Sequence, residues 1–144
     1  MHWGTITWYL FHSLAEKANS DSIIPELVNN ICLLCGNLPC PLCTEHAADF
    51  ISKSNFQHIK TREQLISTLH VFHNHTNRTL NKPHFAKDQL SIYKTANVVK
   101  ILKAFFSIWE QHLISNRAMM YSFYRKRAMN SFHDFINNNI RFFM

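Results

Sequence analysis

The shortage of helix breakers constrains this chain more than any other feature. Only two glycines and four prolines stand among 144 residues. Turn-rich β folds depend on those residues at every reversal, so long stretches without them point to helices. Hydrophobic residues make up 47% of the chain. That excludes a disordered chain and is enough to fill a core at this length without staples. One domain with an appendage is expected. No apolar run reaches the roughly 18 residues that a membrane-spanning helix needs. Met1 leads straight into His2-Trp3-Gly4 rather than into a basic and then an apolar run, so no secretory signal is expected.

Periodicity predicts where the helices lie. Residues 5–18 carry apolar side chains on most faces, which reads as a buried helix with Trp8, His12 and Ala15 on one stripe. A second helix is predicted from about Pro25, with Leu27, Ile31 and Leu34 toward the core and Val28, Cys32 and Cys35 beside them. It should stop at Gly36-Asn37, ahead of Pro39. A third should open at Cys40-Pro41, with the proline in the first helical position and Cys40 as its N-cap, and close near residues 52–55. The fourth begins with a capping box, Thr61-Arg62-Glu63-Gln64, and should run to about Leu80. Its apolar stripe is Leu65, Leu69 and Phe72, and His70, His73, Asn74, Asn77 and Asn81 are expected on a neighbouring face. A short helix is predicted over residues 87–94, then two or three more in the tail. One tail stripe is Val98, Leu102, Phe105 and Trp109. Another, after a cap at Ser131, is Phe132, Phe135, Ile136 and Phe143.

The four cysteines fall within twelve positions, at 32, 35, 40 and 43. A cluster this tight, in a chain with no secretory signal, reads as redox or metal chemistry before it reads as a disulfide framework. Cys40-Pro41-Leu42-Cys43 at a helix start suits dithiol–disulfide exchange. The unpaired N–H groups and the helix dipole stabilise a thiolate there, and the first turn brings the two sulfurs together. The outer Cys40 would meet an incoming thiol, and Cys43 would face inward. Zinc ligands use the same spacing. Zinc pairs are usually separated by a longer loop, however, and Cys32 and Cys35 fall inside a helix. Those two read first as small buried hydrophobes and second as a relay pair.

The stretch Phe72-His73-Asn74-His75-Thr76-Asn77 is unusual inside a helix, since His and Asn are mediocre helix formers. Grouped on one face, they could bind a ligand rich in donors and acceptors, such as a nucleotide, or form a solvated face. Taken singly, His12 reads as a satisfied core histidine, and Trp3 and Trp8 as core aromatics. The order of the pieces is more specific. Trp3-Gly4-x3-Trp8-x3-His12-x2-Ala15 is followed by Leu38-Pro39-Cys40-x2-Cys43-x2-His46-Ala47. His73-Asn74-x2-Asn77-x2-Leu80-x-Lys82-Pro83 comes next. This series, over residues 2–94, resembles the Erv/ALR sulfhydryl oxidases. Leu-Pro-Cys-Pro-Leu-Cys with His46-Ala47 is most similar to the versions carried by large cytoplasmic DNA viruses.

The resemblance implies an all-α fold: a four-helix bundle plus a short fifth helix that holds FAD, here with a helical C-terminal extension. Residues 1–95 would form the FAD-binding domain and residues 96–144 the extension. The implied catalytic pair is Cys40 and Cys43, with Cys43 against the flavin ring. Gly4, Thr7, Trp8 and His12 would line the flavin. His73, Asn74 and Asn77 would grip the adenosine part, Lys82 would meet the phosphates, and Tyr93 would stack on the adenine. No metal site is implied. The implied reaction turns protein thiols and O2 into disulfides and H2O2. The implied partners are a small dithiol protein, thioredoxin-like or with its own CxxC, and a second copy of the chain in a homodimer. Neither nucleic acid nor membrane is expected. The host cytoplasm, at virus assembly sites, and the virion are the expected locations.

Two departures stand out. Many cellular members of that family carry a further disulfide across the HNxxN stretch. The matching positions here are His70 and Lys87, so roughly 3 kcal/mol of loop constraint must come from elsewhere. Nor does any cysteine lie outside residues 32–43, so a flexible shuttle pair is not expected, and a separate dithiol protein would be oxidised directly. The tail is distinctive too. Residues 96–144 hold seven Lys/Arg against two Asp/Glu, whereas residues 1–95 hold eight against seven. The tail also carries ten of the nineteen aromatics. It could cover the bundle or dock a partner, and a dimer interface is the favoured expectation. A basic, aromatic helix over 117–143 would also suit a membrane surface. The competing reading of the whole chain is a zinc-dependent nucleic-acid-binding module that uses the cysteines, the histidines and the basic tail.

Overall fold

The computed structural model describes residues 1–114 and 119–144. Helix α1 (Trp3–Lys17) is followed by a 3-10 turn (Asp21–Ile23), α2 (Ile24–Cys35), α3 (Pro41–Lys53), a second 3-10 turn (Phe56–His58) and α4 (Arg62–Thr79). A 3-10 segment (Lys87–Thr95) leads to α5 (Val98–Ile114), α6 (Met119–Asn139) and a last 3-10 turn (Ile140–Phe142). Among the described residues there is no strand, and no helix is long and apolar enough to cross a membrane. Residues 117 and 118, at the start of the basic helix expected over 117–143, lie outside the described residues.

Local chemistry sets the helix ends. Pro41 sits in the first turn of α3 with Cys40 as cap. Thr61 and Gln64 complete the capping box of α4, the Thr61 hydroxyl accepting from the Gln64 amide at 3.1 Å. That helix ends before Asn81, which has φ of 56°. Asparagine tolerates this left-handed conformation, so it stands where a glycine commonly ends a helix, and it does not extend the polar face of α4 as expected. The short helix expected over 87–94 is a 3-10 helix.

The tail corrects one expectation. Ser131 is not a cap, because α6 runs through it from Met119 to Asn139. The apolar stripes of the tail cover the bundle, one of the readings the sequence left open. Val98, Leu102, Phe105 and Trp109 of α5, and Phe132, Phe135 and Ile136 of α6, join one continuous buried core with Leu10, Leu14, Leu27 and Ile31. Helix α5 lies along α1, and α6 along α2. The aromatic excess of the tail is core, and it roofs the bundle.

Candidate functional site

Helix α3 presents the cysteine pair. Cys40 is held in extended backbone as the N-cap, and its Sγ accepts from the Cys43 amide at 3.2 Å. The two sulfurs form a disulfide, with their Cα atoms 5.2 Å apart. Orphan N–H groups of the first turn surround the pair, and no acid stands in that turn to oppose a thiolate. Both cysteines are half-buried, while Pro41 and Leu42 between them are exposed. Cys43, Ala47 and Phe50 follow one another at i, i+4 and i+7, on one face. Ala47 is buried, and Phe50 stacks on Phe72 of α4 with centroids 4.5 Å apart and planes 8° apart. Cys43 therefore heads the face of α3 that turns toward α4.

Across α1 and α4 lies a cluster of flat rings. Trp8 stacks on His73 (4.4 Å, 6°) and meets Phe72 edge-on at 5.0 Å. His12 stacks on Tyr93 at 4.9 Å, and His73 on Phe85 at 4.9 Å. His12 Nε2 and His73 Nδ1 lie 2.9 Å apart, one donating and the other accepting. Burial, with help from neighbouring histidines, pushes His12 down to about 3. Burial, with His70 and Lys82 nearby, pushes His73 down to about 4. Both rings are therefore neutral at pH 7. Burial, with Tyr9 edge-on beside it, pushes the Tyr93 hydroxyl up to about 12.

The polar stripe of α4 grips the chain's own loop. The Asn74 side chain accepts from the Phe85 amide at 2.7 Å and donates to the Phe85 carbonyl at 3.0 Å. His70 Nε2 donates to the same carbonyl at 2.8 Å. Asn77 donates to the Pro83 carbonyl at 3.3 Å, and its own carbonyl accepts from the Lys82 amide at 2.7 Å. The constraint that a disulfide at positions 70 and 87 would supply comes here from hydrogen bonds between α4 and residues 82–85.

None of the remaining expected residues belongs to the ring stack. Gly4 donates its N–H to His2 Nδ1 at 3.0 Å, and a Cβ at that position would come within 3.1 Å of the same nitrogen. The Thr7 hydroxyl donates to the Trp3 carbonyl at 2.6 Å and accepts from Trp109 Nε1 at 2.9 Å, so it is turned to α5. Lys82 is exposed on the loop after α4. The structure thus gathers Trp8, His12, His73 and Tyr93, with Asn74 and Asn77 holding the loop behind them. Sequence reasoning missed Phe85, whose ring completes the cluster, and the hydrogen bond of Trp109 to Thr7, having placed Trp109 only on an apolar stripe. An isolated aromatic in a loop and one in an apolar helix gave no signal of either role.

Cys32 and Cys35 are free thiols. Cys35 is buried, and burial pushes both thiols up, which leaves them unreactive at neutral pH. With Ala48, Ile51 and His58 they line a cavity of about 490 Å³ between α2 and α3. A larger groove of about 770 Å³ runs between α5 and α6 past Phe106, His133 and Ile136. Neither coincides with the ring cluster. A four-cysteine zinc site needs four thiolates, and a disulfide takes up two of them. The donor set gives the zinc reading no support.

A helical chain with a disulfide capping one helix, and with neutral imidazoles stacked among aromatics on its neighbours, has the parts of a dithiol redox protein. The model of the Erv1 / Alr family matches residues 5–101, and the chain belongs to that family. It is 32% identical over 91 residues to a protein of Invertebrate iridescent virus 3 named "Putative FAD-linked sulfhydryl oxidase 096R". That match covers 58% of this chain and 60% of the viral protein, so the chain spans less than two thirds of its relative's length. No solved structure matches the chain.

Proposed function

We propose that this chain is an FAD-linked thiol oxidase that makes disulfides in other proteins. The observation that carries the reading is the Cys40–Cys43 disulfide at the N-terminus of α3 in a chain of the Erv1 / Alr family. A substrate thiolate attacks Cys40 Sγ. The Cys40–Cys43 bond breaks, a mixed disulfide forms, and Cys43 leaves as a thiolate stabilised by the helix start. A second substrate thiol then attacks the substrate sulfur of the mixed disulfide, releasing Cys40 and an oxidised substrate. Two thiols have lost two electrons and two protons, and the Cys40–Cys43 pair has gained the electrons. Bound FAD would supply the route for that electron pair to O2, giving a balance of two thiols plus O2 to one disulfide plus H2O2.

The residues fit such a cofactor in their chemistry. Trp8, Tyr93 and Phe85 offer flat stacking faces, and the neutral His12 and His73 offer ring nitrogens without a charge to desolvate. These rings touch one another, so a planar guest must part them. In this reading Gly4, Thr7, Trp8 and His12 of α1 bind the flavin. His73, Asn74 and Asn77 of α4 bind the adenosine part with Tyr93, Lys82 serves the phosphates, and Cys43 is the inner sulfur. Residues 1–95 would carry the chemistry under the cover of 96–144.

The finer readings follow from the same argument. The substrate is a small dithiol protein. The chain works as a homodimer, for which the exposed Met120, Tyr121, Phe123 and Tyr124 early in α6 supply apolar surface. The location this reading expects is the host cytoplasm at virus assembly sites, and the virion. A cytosolic dithiol pool opposes net oxidation there, so substrate must be delivered locally. Purification tests the core of the proposal. The protein should be yellow and should consume O2 with dithiothreitol, whereas Cys40→Ser and Cys43→Ser should each lose at least about a hundredfold of that turnover. A colourless wild-type protein, or either variant at wild-type rate, sinks it.

A further inference from the structure

Arg125 of α6 lies outside the family-matched region and is only 4% exposed. Its Nε donates to the Asn37 carbonyl and its Nη2 to the Leu38 carbonyl, each at 3.1 Å. Those two carbonyls belong to the turn between α2 and Cys40. The third nitrogen, Nη1, is buried without a hydrogen-bond partner. Among the described residues no carboxylate pairs with this guanidinium. A buried cation without an acid is costly. The Asn37 and Leu38 carbonyls, just beyond the C-terminal end of α2, offset part of that cost. A negative charge forming nearby would offset more of it, and the turn that Arg125 holds leads directly into the cysteine pair, which begins two residues after Leu38. His112 lies within the same field and is held toward its neutral form by burial, Arg125 and His2, so it adds no competing charge.

We propose that Arg125 is a positioning residue for the redox disulfide: it pins the turn that presents Cys40, and its unpaired charge favours the dithiol's thiolate form over the disulfide. The proposal rests on the thiol-oxidase reading, and it gives the C-terminal extension a part in the chemistry beyond covering the core. The alternative is that Arg125 only caps α2.

The flavin-loaded, full-length wild type is compared with Arg125→Gln and Arg125→Lys. Each is equilibrated anaerobically with glutathione buffers at one pH, and the thiols at Cys40 and Cys43 are trapped and counted. Arg125→Gln should shift the exchange equilibrium about tenfold toward the disulfide, or about 30 mV. Arg125→Lys, which keeps the charge but cannot span both carbonyls, should keep the wild-type potential and lose severalfold in kcat with dithiothreitol at unchanged KM. A wild-type potential in Arg125→Gln reduces the residue to a helix cap and overturns the proposal, whatever its melting temperature. Should Arg125→Gln not fold, the Lys variant decides alone, and wild-type kcat in it overturns the proposal. A wild type that holds no flavin and consumes no O2 instead fells the thiol-oxidase reading itself, which an active wild type with indifferent variants leaves standing.

Discussion

His12 and His73 cannot both be protonated while Nε2 and Nδ1 lie 2.9 Å apart. Their folded values, about 3 and about 4, lie below the 6.5 of an unfolded histidine. Between those limits the unfolded chain binds protons that the folded one excludes. Stability is therefore complete above about pH 6.5 and falls as the pH drops toward 4, by on the order of a few kcal/mol. Urea melts at pH 7 and pH 4.5 check this, and a His73→Gln variant should show the shallower slope; superimposed wild-type curves would refute it. Asn74 is the second residue of consequence, because its amide satisfies both backbone groups of Phe85. Asn74→Ala should cost about 2 kcal/mol of unfolding free energy, read from the same melts. At this scale the sequence spoke unevenly. Cys40 as a cap and Pro41 behind it were legible because capping is decided within four residues. The Asn74 clamp was not, since a side chain that grips a loop eleven residues on has the same local pattern as one that faces a ligand.

Helices α1 to α4 were legible to within a few residues, because Pro41, the Thr61 capping box and Gly36 mark their ends locally. Helix α6 was read less well. Ser131 looks like a cap by type, yet the apolar positions before and after it stay in phase, and packing on α2 carries the helix straight through. Helix α5 shows what packing adds. Trp109 is fully buried against α1 and donates to Thr7, 102 residues away. Trp109→Ala should destabilise the protein by about 3–5 kcal/mol. Trp109→Phe should keep most of the packing and lose about 1 kcal/mol for the hydrogen bond. Equal losses in the two variants would show that the α1–α5 seam does not depend on ring volume.

The whole molecule is one core with two cysteine pairs of opposite character. The pair at Cys40 and Cys43 is bonded at a helix start, and the other is sequestered as free thiols between α2 and α3. Replacing Cys32 and Cys35 together by alanine should leave dithiothreitol-dependent O2 uptake within about twofold of wild type. A severalfold loss would bring back the relay. Sedimentation tests the assembly: a dimer is expected, and Phe123→Asp should make it a monomer. Covering the bundle was one of several readings open for the basic tail, and the sequence could not single it out, because which helix the tail covers depends on contacts about a hundred positions apart. That separation also has a consequence in time. The carbonyls of Asn37 and Leu38 emerge from the ribosome early, and the guanidinium that holds them is made some 88 residues later. Until Arg125 has emerged, Cys40 of the nascent chain stands on a turn that nothing tethers.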